Sequence, residues 1–384
     1  MNNRRAVAVG ALLFLASFLA ACGGVKNPEG WASPAVDGST IYYFPAKNRL
    51  SSLSLAADGS AARTWNFPDK QKLDQKDLSF KAVYDDPAVD GDALYFASWD
   101  GRLFSVNARD GGLRWARRAK LNGGVVGGPV IAGDTLILGT TSGRLYAVNK
   151  ADGQPAPGWP ANGKDLKDGI WAPPVVKGDA VAGYTVFVAT MAGTLQAYSV
   201  KDGSPLWATP FQVEGAIAEL ALLDDKHLFV PSLDKSVAIV DTADGQLIGK
   251  RFVTKDWVWS GPAFKDNVAY FGDFSGNVYA LDITTLTLAA GWQAPYDAGA
   301  KIKAAPVIID GVLVLATREP VVHFVDAATG RGLNTVPLKD VGTIRAGLSV
   351  NDGKGLIVTT KGKLFVADPD ALRVEQLAIA GEKP

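Results

Sequence analysis

The residues of this chain with most chemistry to offer recur at one position. Three places before a repeated proline, or its nearest equivalent, stand Trp31, Tyr84, Val126, Trp171, Ala218, Trp259, Lys303 and Arg345. Four of these are aromatic and two are cationic. Aromatic faces stack on planar, sugar-like or peptide surfaces, and a neighbouring Lys or Arg adds cation–π attraction. Gathered together, Trp31, Tyr84, Trp171, Trp259, Lys303 and Arg345 would form a ring for a ligand or a protein partner. Held apart, they would only cover the tops of adjacent structural units. Asp85 and Asp86 adjoin this set and suit a cation or a basic partner, although Asp is also common in a turn before a proline such as Pro87.

Other chemistry is thin. The two histidines, His227 and His323, have no cysteine or carboxylate partner at metal-ligand spacing and read as surface or strand residues. No Ser-His-Asp set, zinc motif or paired-carboxylate motif stands out. Gly123-Gly124 and Gly127-Gly128 lead into a strand pattern, so they form no phosphate cradle at a helix start. We therefore assign no catalytic, cofactor-binding or metal-binding residue and expect neither an enzyme nor a bound cofactor. Lys plus Arg and Asp plus Glu number 39 each with no long run of either sign, which argues against a nucleic-acid partner.

The elements that must position the ring show in a unit that recurs about every 45 residues. It runs through a Pro-led short apolar strand, a tight turn, a second apolar strand, a Gly-containing turn, a third strand, an Asp-Gly turn and often a Trp. The clearest copies begin at Pro87 and Pro129; others begin near Pro34, Pro174, Pro262 and Pro306, and two degenerate ones near Ala221 and Leu348. Third strands are expected at 50–55, 195–200, 237–241, 278–282, 322–326 and 363–368. The turns Asp58-Gly59, Asp202-Gly203, Asp244-Gly245 and Thr329-Gly330 precede the outer strands, because Gly accepts positive φ and Asp bonds back to the backbone. Such units cannot bury their faces alone and pack radially. The sequence thus predicts an all-β, eight-bladed propeller of four-stranded antiparallel blades over 31–384. How the ring of blades closes stays open. The polar stretches 69–81 and 161–168 read as inter-blade insertions on the ring's face, and 211–223 as an insert between the fourth and fifth repeats.

Ahead of the repeats, Arg4 and Arg5 precede an apolar run at 6–20 that is too short to span a membrane and fits a secretory signal over 1–21. Cys22 is the sole cysteine and follows Leu19-Ala20-Ala21, a pattern that resembles the bacterial lipobox. The resemblance implies a lipidated Cys22, a tether at 22–30 and a membrane anchor through the lipid. Gly23 in place of Asp mildly favours an outer membrane, or the outer face of the cell membrane where a cell has only one.

The run Tyr146-Ala147-Val148-Asn149-Lys150-Ala151-Asp152-Gly153 followed by Trp159 resembles the repeat of pyrroloquinoline-quinone-type propellers, over roughly 31–378. That family docks the Trp between blades, which implies a structural role for Trp65, Trp115, Trp159, Trp207 and Trp292. Its quinone-dependent dehydrogenases use adjacent cysteines and a calcium or lanthanide site, and neither motif can be traced in this chain. A lipid-anchored propeller of this length is similar to the BamB family of the β-barrel assembly machinery. The similarity implies a non-catalytic scaffold, periplasmic and bound to a barrel-assembly protein. A surface binder of small ligands or glycans is the alternative from the ring, and a quinone-dependent dehydrogenase the remoter one.

Overall fold

The computed structural model of the chain describes residues 30–46, 48–56, 59–116 and 120–381. Cys22, the signal and nearly all of the tether, and Asp58 lie outside the described residues. Eight sheets follow one another along the chain, each with its strands antiparallel and in sequence order. They are the blades of a propeller, spanning 35–67, 88–116, 130–165, 175–212, 221–253, 263–297, 307–337 and 349–376. In blade 6 the outer strand is split, with Thr287–Leu288 and Tyr296–Asp297 both pairing with Asn277–Asp282.

Why these segments are strands follows from what covers them. A blade in a propeller is sandwiched by its neighbours, so its middle strands are buried on both faces and read as continuous apolar runs. Ala93–Ala97 is buried throughout, and in Val268–Gly272 and Val312–Ala316 only the first residue is not. The core therefore lies between blades. One cluster joins Leu50 and Phe67 of blade 1 to Leu94, Phe96 and Phe104 of blade 2. Each such side chain contributes roughly 1.5–3 kcal/mol on burial.

Every blade is one continuous stretch, so the first and last share no strand. Closure comes from the tail after blade 8: Ala61 N donates to Ala378 O at 3.0 Å and Ala380 N donates to Ala61 O at 2.8 Å, in a parallel bridge. Apolar contact supports it, with Leu356 and Leu377 packed in one cluster with Ile41 and Leu53.

Three expectations about loops change. Phe211–Gln212 is the outer strand of blade 4 and Ala221–Leu222 opens blade 5, so 211–223 is no insert. Lys164–Asp165 likewise is the outer strand of blade 3. The stretch 69–81 does not project beside the ring. It folds over the seam between blades 1 and 2, where buried Gln75 donates to Gly111 O at 2.9 Å and Lys72 donates to Asp110 O at 2.9 Å. A buried amide needs a partner, and the Asp-Gly turn of blade 2 supplies it.

Candidate functional site

The ten tryptophans divide into two sets of five. At the outer seams, the indole N–H groups of Trp65, Trp115, Trp159, Trp207 and Trp292 donate to the carbonyls of Ala108, Lys150, Val200, Thr242 and Ala327 in the next blade, at 2.7–3.1 Å. Each ring lies against the glycine three residues beyond its acceptor: Gly111, Gly153, Gly203, Gly245 and Gly330. These glycines have φ between +67° and +77°. A Cβ at Gly245 would stand 2.5 Å from the Trp207 ring, so the turn needs glycine for space as well as for φ. An aromatic side chain on the blade's second strand packs under four of these indoles: Tyr42, Tyr95, Phe187 and Tyr270.

The other five tryptophans gather at one mouth of the axial channel. Trp31 meets Tyr84 edge-on at 4.3 Å between centroids, and Tyr84 meets Trp99 at 5.6 Å. Lys303 Nζ stands 3.6 Å from the Trp31 ring centre and 4.4 Å from that of Trp259, and the Arg345 guanidinium lies 5.6 Å from Trp31. Trp259 contacts Trp171 at 6.3 Å and stacks on Phe274 at 5.9 Å. All six ring candidates, from six different blades, thus join in one cluster. Val126 and Ala218 leave blades 3 and 5 without a bulky member. Trp171 is buried at 8% exposure, whereas Trp31, Tyr84, Trp259, Lys303 and Arg345 keep part of their surface open. None of the five mouth indole N–H groups meets a hydrogen-bond partner among the described residues.

Sequence reasoning missed Trp99, Trp257, Phe274 and Lys301, which widen this surface; Trp257 packs on Phe274 at 6.2 Å and Lys301 Nζ lies 5.9 Å from it. Trp99 and Phe274 sit in the turn between second and third strands. That turn hydrogen-bonds to the stretch leading into the ring, through Trp99 N to Ala82 O and Phe274 N to Trp257 O. Alignment of the turns, rather than of the leading prolines alone, would have found them.

Behind the mouth, in the segments that lead into the innermost strands of blades 2 and 5, stand three carboxylates: Asp85, Asp86 and Glu219. Asp85 accepts from Gly128 N at 2.6 Å, a bond that crosses from blade 2 to blade 3. Burial pushes the Asp86 carboxyl well above its usual range, with the charge of Asp85 and a hydrogen bond to it adding to the effect. Asp86 nevertheless keeps solvent-exposed surface. Glu219, also missed, is pushed up to about 8, chiefly by burial and then by Asp85. It is the next residue after the ring position of blade 5, where Ala218 drew no attention.

The geometry offers recognition more readily than catalysis. Lys303 occupies the space between Trp31 and Trp259, so a planar quinone has no slot between those rings, and one oxygen of Asp85 is already committed to a backbone amide. These residues do not fit the quinone. Among the described residues no group of three or more His, Cys, Asp or Glu is placed to hold a metal ion. His227 pairs with Asp224 at 2.7 Å; His323 is buried against the Tyr296 hydroxyl, and burial holds its pKa below the usual value.

A family model described as outer membrane protein assembly factor BamB matches residues 16–124, 70–157 and 159–370. No curated protein matches. Among solved structures, the chain resembles BamB from Moraxella catarrhalis at 17% identity and a TM-score of 0.67, over 87% of this chain and 95% of that one. The computationally designed Ika8 protein aligns at 13% identity and 0.71, over 89% and 97% of the two chains. Sqt1 of Saccharomyces cerevisiae aligns at 11% and 0.69, over 92% and 96%. At such identities the three structures speak for the fold alone.

Proposed function

We propose, from the premise that this chain belongs to the outer membrane protein assembly factor BamB family, that it is a non-catalytic propeller scaffold which holds a protein partner at its aromatic mouth. The partner in this reading is a barrel-assembly protein. The chain is exported and tethered through lipid on Cys22, at the periplasmic face of the outer membrane, or at the outer face of the cell membrane where there is only one. One observation carries the reading: side chains from six blades converge on a single surface of aromatic rings and cations. Aromatic and Arg side chains are enriched at the centre of protein interfaces because they bury much area and keep a polar handle. Burial of Trp171 leaves fewer rings for stacking a sugar and weighs against the glycan-binding alternative.

The test is capture from solubilised native membranes with the full chain as bait, beside a Trp171→Ala, Trp259→Ala, Lys303→Ala variant. Recovery of a barrel-assembly protein by the wild type and its loss from the variant is the expected result. Equal recovery by both would remove the mouth from the interface, and no recovery by either would end the scaffold reading.

A further inference from the structure

The chain enters the propeller at the mouth. Trp31 N donates to Val83 O at 3.1 Å, Gly30 packs on the same carbonyl, and the Trp31 ring lies among Tyr84, Lys303 and Arg345. Gly30 comes eight positions after Cys22. Fully extended, such a tether reaches about 26–29 Å. To carry the lipid from the mouth to the opposite face it would have to cross a blade, three strand spacings of about 4.8 Å, and descend a five-residue strand of about 17 Å, a path of more than about 30 Å. A lipid on Cys22 thus forbids the opposite face from resting on the bilayer, and leaves to that contact only the mouth or the propeller's side.

Charge chooses between these. Strand direction assigns every turn to a face: the first and second strands of a blade join on the face opposite the mouth, as do the third and fourth, whereas the second joins the third on the mouth side, beside Trp99 and Phe274. On the opposite face every first hairpin carries an exposed Asp in its turn or at its edge, from Asp37 in blade 1 to Asp352 in blade 8. The second hairpins of blades 2 to 5 add Asp110, Asp152, Asp202 and Asp244. Each suits its own turn. Some share a cation, as Asp90 and Asp134 share Lys150, yet Asp still outnumbers Lys and Arg among the described residues of that face. On the mouth side the balance reverses. Lys81, Lys167, Lys301 and Lys361 stand exposed around Lys303 and Arg345, and Lys and Arg outnumber Asp and Glu. A chain of zero formal net charge is thereby polarised along its axis.

We infer that the mouth is the membrane-facing side of the molecule, drawn toward an anionic phospholipid surface, with the Asp-bearing face turned away from it. The inference rests on the lipidated Cys22 of the proposed function. Each Lys or Arg close to such a surface gains about 1 kcal/mol, an attraction that fades within a Debye length of about 8–10 Å. The exposed Asp residues of the far face are repelled by the same surface, so the two faces orient the propeller in one sense. Trp and Tyr rings, apolar in body and polar at one edge, suit the headgroup region as well. One consequence concerns the ring itself. Its partner is met in a gap of at most about 29 Å between propeller and bilayer, and is therefore a membrane-bound protein.

The test uses the full chain, exported and lipidated, in vesicles of equal parts phosphatidylethanolamine and phosphatidylglycerol that carry an acceptor dye on a fraction of their headgroups. A donor dye is attached through Lys361→Cys on the mouth side or Asp352→Cys on the opposite face, Cys22 being blocked by its lipid. Energy transfer is expected to be roughly twofold or more stronger from position 361, because the strand Lys354–Val358 holds the two turns about 17 Å apart. The difference should narrow when phosphatidylcholine replaces phosphatidylglycerol. Lys339→Cys and Asp310→Cys in blade 7 repeat the comparison should a blade 8 variant not fold. Equal or reversed transfer from a lipidated chain in the anionic vesicles overturns the orientation alone, as does a difference that neutral vesicles leave unchanged. An intact mass without lipid on Cys22 overturns the orientation and the tether of the proposed function together.

Discussion

Tryptophan does two different jobs in this molecule, and the two sets of five show what decides between them. At the outer seams the indole is pressed on a glycine and its N–H is spent on a backbone carbonyl; at the mouth the rings contact one another and cations, and their N–H groups meet no partner among the described residues. The first arrangement is complete and stabilises. The second has unused hydrogen-bonding and stacking capacity, as a recognition surface requires. Exceptions mark the boundary: Trp115 is only half-buried at its seam, and Trp171 is buried at the mouth.

The sharpest way to break this contrast is Trp207→Ala. Removing an indole that is 3% exposed leaves a void between blades 4 and 5 and should cost about 3–5 kcal/mol, read by denaturant unfolding. Trp259→Ala at the mouth should cost distinctly less while abolishing partner capture; equal losses would erase the distinction. Next comes the paired glycine. Gly245→Ala forces a Cβ into Trp207 as well as an unfavourable φ, and should cost roughly 1–3 kcal/mol. Gly59→Ala has the same φ problem at +81° without the clash, so its cost should be smaller by the overpacking part.

Lys303→Met keeps the bulk between Trp31 and Trp259 but removes the charge, and should lower stability by about 0.5–2 kcal/mol, with the salt dependence of partner binding reduced. A pH-dependent effect belongs to the axis. Glu219 titrates near 8 in the folded chain against 4.5 as its ordinary value, so folding favours its protonated form. Its contribution is fully present below about 4.5 and is lost as pH rises through 8. Glu219→Gln should therefore gain in Tm relative to wild type between pH 5 and pH 9, and an unchanged difference across that range would contradict the burial assigned to it.

Much of this architecture is legible along the chain. The eight units follow from Pro, Gly and apolar spacing, since strand, turn and strand are local events with local residue requirements. The ring positions follow from the same alignment: equivalent residues of a repeat must come to equivalent places around an axis. Loop readings failed where pairing is brief. Lys164–Asp165 and Phe211–Gln212 are two-residue strands whose identity rests on a partner already laid down, so their own sequence carries no period to detect.

What the sequence by itself determined is the repeat, and with it the fold and the family. Tertiary structure alone decided which repeats differ: that Lys303 slides between two indoles from other blades, that Glu219 and Asp85 share one axis, and that five of the seams hold an indole over a turn glycine. The physical reason is distance. A blade is formed by contacts within about 45 residues, as its repeat period shows, whereas the mouth and the closing seam join residues that only the completed circle brings together, as when Asn351 donates to Gly38 O across the chain's two ends.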